Sequence, residues 1–175
     1  MNSSAVVSRR SALGGLTAGL AAAATFGAGT AEARTDDDKN VAQVKALLQQ
    51  HDKAFTAKDL DGVMKLYAAG PKTVVIGTGP GEIWVGKDEI KSAYQHFVED
   101  FDTGKQDFEY GFVTGDIVGD GAWLVATGKL KLTKGSDHHE VGLNCSLTFT
   151  KTGGAWYISS FHFSSLFAAA AASQG

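Results

Sequence analysis

After Gly104 the hydrophobic period of this chain changes from 3.6 residues to 2, and it stays at 2 almost to the end. A 3.6-residue stripe requires a helix and strict alternation requires a strand, so helices come first and a sheet follows. Four alternating segments run in succession: QDFEYGFVTGDIV, AWLVATGKLKLT, HEVGLNCSLTFTK and AWYISSFHFSSL. The short GDG, KGSD and TGG stretches between them are hairpin-type turns, which predicts a four-stranded antiparallel meander. A meander of this size has one apolar face that something else must cover.

The cover comes from the first part of the chain. Val41, Val44, Leu47, Leu48, His51 and Phe55 form one helical stripe, with Gln43, Gln50, Asp52 and Lys53 on the other side. AKDLDG ends that helix, and Asp59 is placed to N-cap a second, LDGVMKLYA. KTVVIGTGPGEIWVG reads as strand, turn, strand, with Gly-Pro-Gly as the reversal. Its glycines are no phosphate loop, because EIWV after them is strand-like where a phosphate loop needs a helix. KDEIKSAYQHFVEDF is a third helix, with Ile90, Tyr94, Phe97, Val98 and Phe101 on its apolar face. The order predicts an α+β fold, a curved antiparallel sheet with three N-terminal helices on its concave face.

The ends have their own chemistry. Ser8 to Gly15 reads SRRSALGG, a twin arginine ahead of a Gly/Ala-rich, weakly apolar run that closes on Ala31-Glu32-Ala33. That order resembles a twin-arginine export signal over residues 1–33, with an A-x-A cleavage pattern. The run is too diluted by Gly and Thr for a membrane-spanning anchor. Residues 34–40 are expected as a flexible charged leader, 41–166 as one domain, and 167–175 as a disordered tail. The mature protein is expected in the periplasm or outside the cell. Net charge is −3 and no basic, aromatic-interleaved patch occurs, which argues against a nucleic-acid partner. Cys145 is alone, so no intrachain disulfide is possible.

The succession of elements, with AFTAKDLDGVMKLYA leading in and W-Y-I-x-x-x-H-x-S closing, resembles the SnoaL-like branch of the nuclear transport factor 2 superfamily. It is similar also to the association domains of calcium/calmodulin-dependent protein kinase II. The resemblance spans about Val41 to Leu166. It implies a cone-shaped α+β barrel that dimerises through the convex sheet face. The implied pocket lies between the first and third helices and the concave face. The superfamily includes isomerases, cyclases, dehydratases and members that only bind or assemble, so the fold does not by itself set the function.

Alternation assigns the two faces. The more apolar set on each strand is expected inward: Leu124, Ala126, Gly128 and Leu130; Cys145 and Leu147; Phe161 and Phe163, in phase with Tyr157 and Ser159. With Phe55, Tyr94 and Tyr110 they make the expected ligand pocket. The resemblance puts three cavity arginines of the kinase association domains at Gly128, Leu147 and Phe163, all in this inward set. Without those arginines a carboxylate site is lost, leaving an apolar cavity suited to a small hydrophobic ligand. The other set, Trp123, Val125, Asn144, Ser146, Trp156, Ile158, Ser160 and His162, is expected outward, as a homodimer surface.

His51 is the candidate catalytic residue. By resemblance it stands where ketosteroid isomerases carry an oxyanion-hole tyrosine, and an imidazole there can donate a hydrogen bond or move a proton. The general-base aspartate of those enzymes would fall near Val75–Ile76, where this chain has no carboxylate. SDHHE, Ser136 to Glu140, is a turn rather than a metal site, and no cofactor is implied. Three readings follow: a dimeric domain binding a small hydrophobic ligand without catalysis; an isomerase, cyclase or hydratase using His51 with Tyr94 or Tyr110; and an assembly scaffold.

Overall fold

The computed structural model describes residues 31–165, with side chains from Asp38 onward; residues 1–30 of the expected signal, Leu166 and the expected tail 167–175 lie outside the described residues. Helix α1 spans Ala31–Thr56, α2 Leu60–Lys65 and α3 Lys87–Phe97, the last running into a 3-10 turn at Val98–Asp100. Strands β1 (Val74–Ile76) and β2 (Ile83–Val85) precede α3, and β3 (Gln106–Val118), β4 (Gly121–Lys134), β5 (Asp137–Thr152) and β6 (Ala155–Ser165) follow it. Asp59 caps α2, its carboxylate accepting from the Gly62 N–H at 2.9 Å.

Residues 34–40, expected as a leader, have helical backbone continuous with α1. One reason lies at its end. The Asn40 side-chain oxygen accepts from Lys151 Nζ (2.9 Å) and Trp156 Nε1 (3.3 Å), tying the helix to β5 and β6.

The six strands form one sheet in the order β2-β1-β6-β5-β4-β3. The meander β3–β6 is antiparallel as predicted, but β1 joins β6 in parallel, Val75 beside Phe161. The sheet is therefore mixed, and it is not closed into a barrel. The Gly-Pro-Gly reversal does form, with Gly77 N–H donating to the Glu82 carbonyl (2.8 Å).

Two β-bulges set which side chains face the helices. On β3 the register slips between Tyr110 and Phe112, leaving Gly111 unpaired. Tyr110 and Val113 thus pack on the core, while Phe112 is 56% exposed on the outer face. On β6 it slips against Thr148/Phe149: Phe149 pairs with Ile158 and Thr148 with Ser160, so Ser159 is the extra residue. An extra residue inverts the phase of everything before it. Trp156 (4% exposed) and Ile158 (fully buried) therefore belong to the core, which corrects the outward placement expected for both. The same slip removes Tyr157 and Ser159 from the inward set, while Phe161 and Phe163 remain in it. Trp123 stays outward, 43% exposed, in rows with Val125, Asn144, Ser146, Ser160 and His162.

Candidate functional site

Between α1, α3 and the concave face lies a cavity of about 920 Å³. Helix α1 contributes His51 and Phe55, α3 contributes Tyr94, and β3 contributes Tyr110. The sheet wall adds Leu124, Ala126 and Leu130 from β4, Cys145 and Leu147 from β5, and Phe161 and Phe163 from β6. Gly128 is the exception among the residues expected there. A Cβ at Gly128 would meet the Glu109 carbonyl oxygen and the Phe108 ring, so β3 and Phe108 already fill the place a cavity side chain would take. Leu147 and Phe163 do line the cavity, so none of the three arginine positions offers a cation to it.

His51 is held among rings. Phe55 is nearly parallel to it at 5.8 Å between centroids, and Phe161, Tyr67 and Tyr94 approach tilted at 5.8, 5.9 and 6.4 Å. The side chain is buried, yet both ring nitrogens lack a hydrogen-bond partner. The Asp52 carboxylate is near, Oδ1 at 3.5 Å from Nδ1, too long for a good hydrogen bond. Buried polar atoms are almost always paired, so the unpaired imidazole on the cavity wall is free to bond to a water or a bound molecule there.

Two residues of the site were not singled out by sequence. Asp52 was placed on the solvent side of α1, but it lines the cavity with a half-buried side chain and accepts from the Tyr110 hydroxyl at 3.4 Å. It follows His51 directly, and a helix advances 100° per residue, so the edge of the apolar stripe reaches it. Tyr67, just past α2, is fully buried and shares a 2.6 Å hydrogen bond with the Tyr94 hydroxyl. The sequence placed it within a second helix, LDGVMKLYA, but α2 ends two residues earlier at Lys65, and so short a helix gave it no clear period.

Burial, foremost, pushes the ionisation of Tyr67, Tyr94 and Tyr110 far above the ordinary phenol range. All three are therefore O–H donors at any working pH. A pair of hydroxyls shares one hydrogen bond and leaves a second O–H over. Tyr94 lines the cavity and can offer its O–H there while accepting from Tyr67 behind it. The Cys145 thiol is pushed up to about 12, by burial first and the Asp52 charge second, so it is no thiolate nucleophile. Among the described residues no group of His, Cys, Asp and Glu is arranged to hold a metal, and His138 instead meets Thr133 Oγ1 at 3.0 Å.

The model of the SnoaL-like domain matches residues 44–169. The chain belongs to the SnoaL-like domain family. Its fold is that of nuclear transport factor 2-like proteins with a cystatin-like architecture. A provisionally named dehydratase of that family from Streptomyces avermitilis is 21% identical (75% of this chain, 99% of that one, TM-score 0.63). A provisionally named calcium/calmodulin-dependent protein kinase II association domain from Xanthomonas campestris is also 21% identical (70% and 85%, TM-score 0.61). A nuclear transport factor 2-like protein from Novosphingobium aromaticivorans is 15% identical (81% and 91%, TM-score 0.64). No curated protein shows significant sequence similarity to the chain.

Proposed function

We propose that this SnoaL-like domain is exported by the twin-arginine route, dimerises through its outer sheet face and binds a small, mainly apolar ligand in its cavity. The observation that carries the reading is the buried, unpaired His51 on the wall of a cavity of about 920 Å³. Ligand sites are concave, apolar and supplied with a few polar groups, at volumes of about 300–1,000 Å³. Here His51, Asp52 and the Tyr94 hydroxyl are among those groups, set beside aliphatic and aromatic side chains of the sheet and helices. Support for the dimer comes from Phe112, Trp123 and Val125, apolar groups outward on adjacent strands among serines, threonines and His162.

Proton transfer is the second reading, favoured by His51 standing beside a carboxylate and near Tyr94. A free imidazole nitrogen can take a proton from a bound substrate while the Tyr94 O–H stabilises an oxygen that gains charge. A relative named as a dehydratase fits such chemistry.

Native mass spectrometry of the protein recovered from the exported fraction tests the proposal. It predicts a dimer lacking residues 1–33 that carries a small molecule, released on denaturation. A monomer, an uncleaved chain or a larger ring without ligand would contradict it, the last in favour of the scaffold. Recovery of a ligand in substrate and product forms, with conversion abolished in His51→Ala, would establish the second reading.

A further inference from the structure

The charges around the cavity are all of one sign. Asp52, Glu82, Glu89 and Asp100 line it, and among the described residues no lysine or arginine does. Glu82 and Glu89 are already engaged, accepting from the Gly79 and Val85 N–H groups at 2.7 and 2.8 Å. Asp52 is different. Its side chain is 38% exposed, and its two oxygens have only long partners, the Tyr110 hydroxyl at 3.4 Å and His51 Nδ1 at 3.5 Å. Among the described residues no lysine or arginine pairs with it. A carboxylate on the cavity wall with neither a cation nor a short donor is open to a charged donor that a ligand brings.

A second, independent observation points to the same place. The His51 side chain is 93% buried (7% exposed), lines the cavity and has two unpaired ring nitrogens, either of which can accept a hydrogen bond when it carries no proton. The Asp52 charge is felt across the space: after burial, it is the next cause raising both the Tyr110 hydroxyl and the Cys145 thiol. Around this pair stand the faces and edges of Phe55, Tyr94, Phe97, Phe108, Tyr110 and Phe161. Aromatic walls attract cations through the ring quadrupole, most strongly where water is excluded.

We propose that the cavity is selective for an apolar ligand carrying one protonated amine, whose N–H groups are shared between the Asp52 carboxylate and the His51 ring. The inference rests on the ligand-binding reading and adds its charge class. An ammonium supplies what Asp52 lacks, a short charge-assisted donor, while its apolar body takes the aliphatic and aromatic wall. A carboxylate ligand would enter beside Asp52 with no cation to offset it.

Calorimetric titration of the full-length mature protein at pH 7.5 with three probes of one skeleton separates the possibilities: naphthalene-1-methanamine, naphthalene-1-methanol and naphthalene-1-carboxylate. The amine is expected to bind at least about tenfold tighter than the alcohol, and the carboxylate not measurably. An alcohol that binds as well as the amine, or a carboxylate that binds better than either, overturns the charge selection and leaves the ligand-binding reading standing. Three probes without heat or competition overturn both. Asp52→Asn, checked for native circular dichroism, is expected to bring the amine to the alcohol's affinity; a retained tenfold advantage removes Asp52 from the proposal. The wild-type ranking decides the charge class even if that variant does not fold.

Discussion

His51 is worth more to a ligand than to the fold. A buried imidazole with both nitrogens unpaired costs about 1–3 kcal/mol against an apolar side chain of similar shape. His51→Leu is therefore expected to raise stability in urea denaturation by about 1 kcal/mol or more while weakening ligand binding. A loss of stability would show that the imidazole has a structural partner. Tyr67→Phe is the contrasting case: it keeps the ring and removes the 2.6 Å partner of the Tyr94 hydroxyl. A loss of about 0.5–1.5 kcal/mol is expected, read from the same denaturation curves. Gly128 matters for the opposite reason, since β3 and Phe108 leave no room for a Cβ there. The position that the resemblance assigns to a cavity arginine is a close strand contact in this chain.

At the level of elements, the two bulges decide the faces of the sheet. Trp156→Ala empties a core site and is expected to cost about 3–5 kcal/mol, whereas Trp123→Ala, outward and 43% exposed, should leave the folded monomer within about 0.5 kcal/mol. Equal losses at the two tryptophans would contradict the register. All three helices, both early strands and the four-strand meander were legible in hydrophobic period and turn residues, and the residues expected in the pocket, Gly128 excepted, line the cavity. The phase of β6 before Ser159 was not, because strict alternation assumes an unbroken pleat. A signal was nonetheless present. The inward residues Trp156 and Ile158 are separated from Phe161 and Phe163 by a step of three, as Tyr110 is from Val113 on β3. A step of three within a period of two is what an extra residue writes into a sequence. The parallel pairing of β1 with β6 rests on contacts between distant residues, to which a local pattern is blind.

At the scale of the whole molecule, the buried acids predict how stability depends on pH. Burial holds Cys145, ordinarily at 9.0, up to about 12, and Tyr67, Tyr94 and Tyr110 well above their ordinary 10.0. Above these ordinary values the unfolded chain gives up protons that the native state keeps. Stability from these groups is therefore full below about pH 9 and lost as pH rises beyond it. Thermal unfolding from pH 7 to 11 should show a falling midpoint, with a shallower fall in Tyr67→Phe. The proposed dimer surface is the outer sheet face and the cavity lies between the helices and the concave face, so assembly and binding can coexist in one molecule. The cavity, not the outer face, is the proposed seat of the ligand. Nuclear magnetic resonance of protein labelled in its histidine rings, titrated with naphthalene-1-methanol, tests it most directly. Saturable shifts at His51 with His162 unmoved are the predicted result; shifts at His162 alone, or none at His51 at saturating probe, would contradict it.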